Sequence, residues 1–318
     1  MLYRLTGNSP VDVLYCKAAR HPRASRAQHP TESPSMFPCF PRRRIAALAL
    51  AAACIPQIPQ VSAQEAASPA LPGPTYADLA DLAGASNLVA IATVHKVAPL
   101  KAERAPGVAP GMVRIYVEAD TSALLIGTGL GESVSYLADV PLDSRGKVPK
   151  LKKQKVILFA RSVPGHADQL ALVAPDAQIE WTPAREAQVR SILTAMVSPD
   201  KPPKITGVRE AMHVPGNLAG EGETQIFLAT PGGQPVSVSV LRRPGEPPRW
   251  GVSLTEIVDQ SAHPPRRDTL LWYRMACFLP HTLPARANLS EDPADRQKAA
   301  ADYALVMREL GPCPRTRT

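Results

Sequence analysis

Residues 87–97 read NLVAIATVHKV, a short apolar run on which the fold of the first half of the chain depends. Val89, Ile91 and Val94 give it the β-branched content of a buried strand. A loop with three prolines and two glycines, residues 99–111, follows it. The segment therefore predicts the first strand of a β-rich domain.

Four further strands are predicted after that loop. Residues 112–119 alternate apolar and polar side chains around Ile115, the pattern of a half-buried strand. A glycine-rich turn at residues 127–131 separates this strand from three more, at residues 133–140, 155–160 and 170–174. Five strands with little helix between them predict a barrel-like arrangement.

Two helices are predicted to flank the strands. Thr75 can cap a helix over residues 76–82, because its hydroxyl can accept a hydrogen bond from the first turn. A second helix begins at Pro183, which suits the first helical position, with Thr182 as its cap. The barrel-like domain is therefore predicted to span residues 75–198.

Three segments of this domain match a known module. They are SNLVAIATV at residues 86–94, LLIG at 124–127 and KVILF at 155–159. With them, residues 86–181 resemble the netrin-like or tissue-inhibitor type of five-stranded barrel, which has an oligomer-binding-like (OB-like) fold. The resemblance implies an OB-like barrel. The chain lacks the module's cysteines, including the N-terminal one through which inhibitors of metalloproteases act, so inhibition is not implied.

A proline-rich segment at residues 199–203 predicts a boundary before a smaller second domain at 204–318. Strands are predicted in it at residues 205–214, 225–229, 235–241 and 251–258. The middle two predict a hairpin, because a Pro-Gly-Gly turn at residues 231–233 joins them.

Two helices are predicted to close the second domain, over residues 269–279 with Asp268 as cap and over residues 292–310. Cys277 and Cys313 follow these helices and predict a disulfide; the alternative is two buried free thiols. A bond closing a loop of 36 residues stabilises a domain by about 4 kcal/mol. The predicted fold class is α+β: a β-rich OB-like barrel, then a smaller domain of a β-hairpin and two disulfide-linked helices.

Residues 36–63 have the three parts of a secretory signal peptide. Arginines precede an apolar run at residues 45–55, and small residues end the segment at Ala63. The run is shorter than the roughly 20 residues that span a bilayer. The sequence therefore predicts cleavage between Ala63 and Gln64, a linker at residues 64–74, and a periplasmic or secreted protein.

Residues 1–35 are predicted to be an upstream extension that is disordered or, if translation starts at Met36, not made. Three other targeting signals remain as alternatives. An Arg-rich, acid-poor leader also suits a mitochondrial transit peptide. Cys54 would be a lipid-anchored cysteine in a lipoprotein, although Ala51 stands where such signals usually have Leu. The arginines also permit twin-arginine export, although the residues after them fit that signal poorly.

The positive charge lies mainly in the leader. The chain has 36 Lys and Arg against 28 Asp and Glu, and residues 1–63 hold eight and two of these. The remaining 28 and 26 leave a net charge of +2, so nucleic acid is not predicted as a partner. No window after the leader is apolar for 18 residues, so no membrane span is predicted there.

No motif predicts a cofactor, a metal or a nucleophile. The Gly-Thr-Gly-Leu-Gly segment at residues 127–131 lacks both the spacing of a dinucleotide fingerprint and the Lys-Ser/Thr end of a P-loop. No two histidines after the leader have the spacing of a helical metal site. No Gly-x-Ser-x-Gly elbow occurs. The sequence therefore predicts no catalytic, cofactor-binding or metal-binding residue.

One basic run is a candidate contact with an anionic surface such as lipid head groups or polysaccharide. It consists of Lys147, Lys150, Lys152, Lys153 and Lys155. It lacks interleaved aromatic residues that would stack on bases. The alternative is a solvated loop that leads into the next strand.

Two functions remain. The first is a non-enzymatic exported binding or interaction protein, with an envelope protein or polysaccharide as partner. The second is an envelope hydrolase whose site assembles only in space, with His95, His213 or His281 as the base. A concave pocket with a histidine in hydrogen-bond reach of a carboxylate and a serine separates the two hypotheses.

Overall fold

Two β-sheets and four α-helices make up the part of the chain that the computed structural model describes, residues 73–255 and 262–317. The predicted signal peptide, the cleavage site between Ala63 and Gln64, and Cys54 lie outside these residues. Among the described residues, no helix has the length and apolar character needed to cross a membrane.

The first sheet is a closed barrel of five strands: β1 (Leu88–Pro99), β2 (Met112–Ile126), β3 (Ser133–Pro141), β4 (Lys155–Val163) and β5 (His166–Leu172). They pair in the order β1–β2–β3–β5–β4, and β4 pairs with β1 to close the barrel. The β3–β5 pair is parallel and the other four pairs are antiparallel. A short strand, β6 (Gln178–Glu180), adds to β4. The predicted barrel is confirmed as a mixed five-stranded barrel.

Two helices, α1 (Tyr76–Ala85) and α2 (Pro183–Val197), pack beside the barrel. The predicted caps are confirmed. Thr75 and Asp78 form a reciprocal capping box at the start of α1. Thr182 accepts a hydrogen bond from the Arg185 N–H at 3.1 Å at the start of α2.

Strand β1 is buried on both faces. Leu88, Ala90 and Val94 belong to the interior of the barrel. Val89 and Ile91 belong to a second core, which includes buried side chains of α1 and α2. Successive side chains of a strand point to opposite faces. A strand covered on both faces therefore needs apolar residues at nearly every position, which explains the continuous apolar run.

The second sheet has four antiparallel strands, β7 (Gly207–Pro215), β8 (Gly222–Ala229), β9 (Ser237–Arg242) and β10 (Arg249–Ser253), in the order β10–β9–β8–β7. The predicted hairpin is confirmed, with Ile226 of β8 opposite Val238 of β9. Because β7 and β10 pair on its outer edges, the sheet is larger than a hairpin.

The last two helices are α3 (Leu270–Ala276) and α4 (Pro293–Leu310). The predicted disulfide is confirmed: Cys277 and Cys313 are bonded, with their Cα atoms 5.2 Å apart. The predicted cap of α3 is wrong by one residue. Thr269 accepts the hydrogen bond from the Trp272 N–H at 3.3 Å, whereas Asp268 has a left-handed φ of 58°. That turn places Thr269 in the extended conformation of an N-cap.

One hydrophobic core extends across the predicted boundary at residues 199–203. It joins Val89 and Ile157 of the barrel with Ile226 of the second sheet and Trp272 of α3. The described residues therefore pack as one continuous body around this core.

The C-terminal tail contacts the start of α1. Asp78, only 1 % exposed, accepts hydrogen bonds from the backbone N–H of Thr75 at 2.8 Å, and from the N–H and hydroxyl of Thr316 at 3.1 and 2.7 Å. Burial opposes ionisation of Asp78, but these hydrogen bonds outweigh it and lower the pKa from its ordinary value of 3.8. Two ion pairs also fix the tail: Arg315 with Asp81, and Arg317 with Asp176.

Replacing both cysteines, Cys277→Ala with Cys313→Ala, is expected to lower the free energy of unfolding by about 4 kcal/mol, because the unfolded chain regains the entropy of a 36-residue loop. Urea unfolding followed by tryptophan fluorescence measures the loss. A reducing agent should lower the midpoint of the unaltered protein and leave that of the double variant unchanged. Equal midpoints of the two proteins without reductant would contradict the prediction.

Asp78→Asn is expected to lower the free energy of unfolding near neutral pH by about 2 kcal/mol, because several donors lose a charged acceptor. The folded-state pKa of Asp78 is lowered, so its contribution is complete above 3.8 and is lost as pH falls through the folded-state value. Unfolding measured against pH should therefore show the two proteins converging in acid. Glu103→Gln, at an exposed position, is the control, and a constant difference across the pH range would contradict the assignment.

Candidate binding cleft

A cleft of about 540 Å³ lies between α1, α2, α3 and the segment that joins α2 to β7. Its apolar wall includes Ala83, Ile126, Leu193, Met196, Ile205 and Phe278. Its polar side chains include Asp81, Lys201, Lys204, Tyr273 and Arg274. Ligand sites are typically clefts of about 300–1,000 Å³ with a mostly apolar lining and a few polar groups. The cleft has both properties.

Small residues of α1 leave the cleft open. Ala80, Ala83 and Gly84 of this helix face it, opposite Leu193 and Met196 of α2. Only the Met196 methyl group lies within 4.0 Å of the point where a Cβ on Gly84 would stand. The space beside α1 is therefore free for another group.

Arg274 of α3 differs from the other charged residues of the cleft in being largely buried and without a partner among the described residues. It is 8 % exposed, and no hydrogen bond or ion pair to its side chain is found among the described residues. Its neighbours Trp272, Tyr273 and Met275 are buried in the core, which holds α3 in place. Burial lowers the pKa of Arg274, with smaller opposite effects from Tyr273 and Tyr76 and none from a carboxylate. An arginine keeps its charge in a protein. The side chain of Arg274 is largely buried, but its guanidinium nitrogens still reach the cleft, where no counter-charge among the described residues pairs with them.

Two lysines add to this positive charge. Lys201 and Lys204 line the same cleft, both are exposed, and neither has an ion-pair partner among the described residues. Both lysines and Arg274 also line an adjoining cleft of about 670 Å³, whose rim carries Asp200. The three cations therefore lie where the two clefts meet.

Asp81 is the carboxylate that lines the first cleft, and it is already bound. It accepts a hydrogen bond from the Tyr273 hydroxyl at 2.5 Å and pairs with Arg315 at 2.7 Å. Burial, and then the hydrogen bond to Asp81, raise the pKa of Tyr273. Asp81 therefore does not neutralise Arg274, and the net charge of the lining is positive.

One feature of the sequence points to this site. Arg274 is the single charged residue in the apolar helix predicted at residues 269–279. A charged residue in a buried helix requires a partner or a ligand. The cleft itself could not be predicted, because its walls come from segments separated by up to 198 residues along the chain, from Ala80 to Phe278.

The three histidines proposed as bases lie in different surroundings. His95 is on β1, with Nε2 3.4 Å from Glu118 and Nδ1 3.1 Å from Asp120, the latter without hydrogen-bond alignment. His281 is exposed. No serine side chain is hydrogen-bonded to either imidazole among the described residues.

His213 is part of a buried polar network between β7, β8 and α4. Thr224 donates to Asp302 at 2.5 Å and lies 2.8 Å from His213 Nδ1. Because the single hydroxyl proton goes to the carboxylate, Nδ1 of His213 must donate to Thr224. Arg242 Nε also donates to Asp302 at 2.7 Å. The network satisfies a fully buried carboxylate and joins α4 to the sheet, a structural role.

Another cleft, of about 380 Å³, contains the nearest approach to a hydrolase constellation. Ser239, His263, Glu223 and Glu309 line it. Glu309 is bound to Trp250 Nε1 at 2.5 Å, and the buried Ser239 hydroxyl has no hydrogen-bond partner. Within the described residues, no hydrogen bond links the Ser239 and His263 side chains, and no group of three His, Cys, Asp or Glu could hold a metal.

The basic run lies in the connection between β3 and β4. Lys147, Lys150, Lys152 and Lys153 are exposed. Lys155 is half-buried, with its ammonium 4.0 Å from the centre of the Trp181 ring. The four exposed lysines remain a candidate contact with an anionic surface, whereas Lys155 has a partner within the protein.

Comparisons with known proteins add no family to this description. No model of a known protein family matches the chain. No curated protein matches it in sequence. The resemblance to the netrin-like type therefore has the mixed five-stranded barrel as its support, and no family match.

Arg274→Met is expected to maintain or raise the free energy of unfolding of the unliganded protein, because it removes a largely buried charge that has no partner among the described residues and keeps most of the aliphatic packing. Thermal and urea unfolding measure the change. Arg286→Met, at an exposed position, is the matched control and should change little. Destabilisation by Arg274→Met would show that the arginine has a structural partner.

Proposed function

We propose that this chain is an exported, non-enzymatic binding protein and that its binding site is the cleft between α1, α2 and α3. One observation carries the proposal: Arg274 is buried beside an apolar cleft without a hydrogen bond or ion pair among the described residues. A largely buried charge with few water contacts and no protein partner is costly to a fold, whereas a bound anion would stabilise it. Proteins often keep a destabilising group at a site where that group serves function.

Export is supported by two features. The bond between Cys277 and Cys313 suits an oxidising compartment, because cytosolic thiols are kept reduced. The signal-peptide pattern at residues 36–63 predicts the same destination, periplasmic or secreted. A lipid anchor at Cys54 is the less favoured form of the proposal.

Two parts of the proposal have weaker support. A relationship to the netrin-like barrels is supported by the strand order with its parallel β3–β5 pair. An envelope protein or polysaccharide as a further partner is supported by the four exposed lysines between β3 and β4. Neither part is needed for binding in the cleft.

The alternative is an envelope hydrolase. Its best support is the smaller cleft that brings Ser239 and His263 into one lining. The hydrogen bonds that would activate a serine are missing there among the described residues, and His213 is held in a structural network. Binding without catalysis therefore has the stronger support.

Filling the cleft tests the proposal. Gly84 lies in α1 at an exposed position, and a Cβ there would meet only the Met196 methyl group, at 4.0 Å. Gly84→Phe should therefore place a ring in the cleft, whereas Gly84→Ala leaves it open and favours the helix. The probe is the neutral fluorophore Nile red, which becomes emissive in apolar surroundings. It should bind the unaltered protein and Gly84→Ala saturably, and Gly84→Phe at least about tenfold more weakly.

Circular dichroism and thermal unfolding should show that both variants are folded. Failure of the unaltered protein to bind Nile red, or equal binding by a folded Gly84→Phe variant, would exclude this cleft as the binding site.

A further inference from the structure

We infer that the cleft binds an amphipathic carboxylate, with its acidic head on Arg274 and its apolar chain along the wall formed by Ile126, Leu193 and Met196. The inference depends on the proposed function, because it names the class of ligand for the same site.

The head group follows from the charges where the two clefts meet. Arg274 offers a planar guanidinium, which binds a carboxylate through two parallel hydrogen bonds. Lys201 and Lys204 line the same cleft and carry no ion pair among the described residues. Asp81, the acidic residue of the lining, is bound to Tyr273 and Arg315. An incoming anion therefore meets unpaired cations and a carboxylate that is already neutralised.

The apolar part of the ligand follows from the wall. Ala83, Leu193 and Ile205 are buried core residues at the inner side of the cleft. Met196 and Phe278 form the outer side, and methionine adapts its shape to flexible apolar ligands. A small inorganic anion would leave this surface in contact with water. A ligand with an apolar chain buries it, at a gain of about 0.8 kcal/mol per CH₂ group.

A multiply charged ligand fits this site less well. One largely buried arginine side chain reaches the cleft there, whereas the two lysines are exposed. A second or third negative charge would have to lose its hydration beside the apolar wall without a buried partner. The lining therefore favours a single negative charge.

Isothermal titration with dodecanoate below its micelle concentration tests the inference, with dodecanol as the neutral analogue of the same chain length. Dodecanoate should bind the unaltered protein more tightly than dodecanol. Arg274→Met should weaken dodecanoate about 10- to 100-fold, the loss expected for a charge-assisted pair. The same variant should not weaken the binding of dodecanol or Nile red, because it keeps the apolar wall and replaces a charged side chain of the lining with an apolar one. Each CH₂ added between octanoate and dodecanoate should tighten binding up to about fourfold.

Two controls complete the experiment: inorganic phosphate as a competing anion, and the exposed-site variant Arg286→Met. Phosphate should not displace dodecanoate. The Arg286→Met variant should bind dodecanoate with the affinity of the unaltered protein. Equal affinities for dodecanoate and dodecanol, or an Arg274→Met variant that binds dodecanoate normally, would overturn the inference. The proposed function would still stand if Gly84→Phe blocks Nile red. If Gly84→Phe blocks neither Nile red nor dodecanoate, both the inference and the proposed function fall.

Discussion

The burial of β1 on both faces is the constraint on which the rest of the structure depends. One face, with Leu88, Ala90 and Val94, completes the interior of the barrel. The other, with Val89 and Ile91, contributes to the core that includes α1, the second sheet and α3. Between Leu88 and Ala92, a polar residue on either face would place an unsatisfied group in a core, whereas the later, partly exposed part of the strand carries Thr93 and His95. The second half of the chain thus packs on a surface that the barrel provides.

The elements that border the cleft are joined by direct contacts, including the 2.5 Å hydrogen bond from Tyr273 of α3 to Asp81 of α1. α3 is tied to the C-terminal tail by the disulfide at Cys277, three residues after Arg274. The tail in turn contacts α1 through Thr316 and Asp78. Together with the Tyr273–Asp81 hydrogen bond, these links fix the position of α3 relative to α1. A site held open before its ligand arrives loses less entropy on binding than one that must be ordered.

In the proposed function, Arg274 connects the stability of the fold with ligand binding. The His213–Thr224–Asp302 network shows how this chain treats a buried charge that serves structure, since the Asp302 carboxylate accepts hydrogen bonds from Thr224 and Arg242. Arg274 lacks such partners among the described residues although it is nearly as buried. Groups left unsatisfied within an otherwise satisfied fold are expected at functional sites, because selection for binding can outweigh their cost.

The sequence by itself determined the local elements and the fold class. Apolar periodicity, proline and glycine placed the five barrel strands, the hairpin and the helices, because these patterns reflect local geometry. It also determined the disulfide, since only Cys277 and Cys313 remain after the predicted leader. The predicted cap was Asp268, one residue before the observed cap Thr269, because no residue pattern in the sequence indicates the left-handed turn at Asp268. Only the tertiary structure decided which histidine is structural, which carboxylate is already paired, and that Arg274 faces an open cleft. Those properties depend on contacts between residues far apart in the chain, and local sequence patterns do not show which of these residues lie close together in the folded structure.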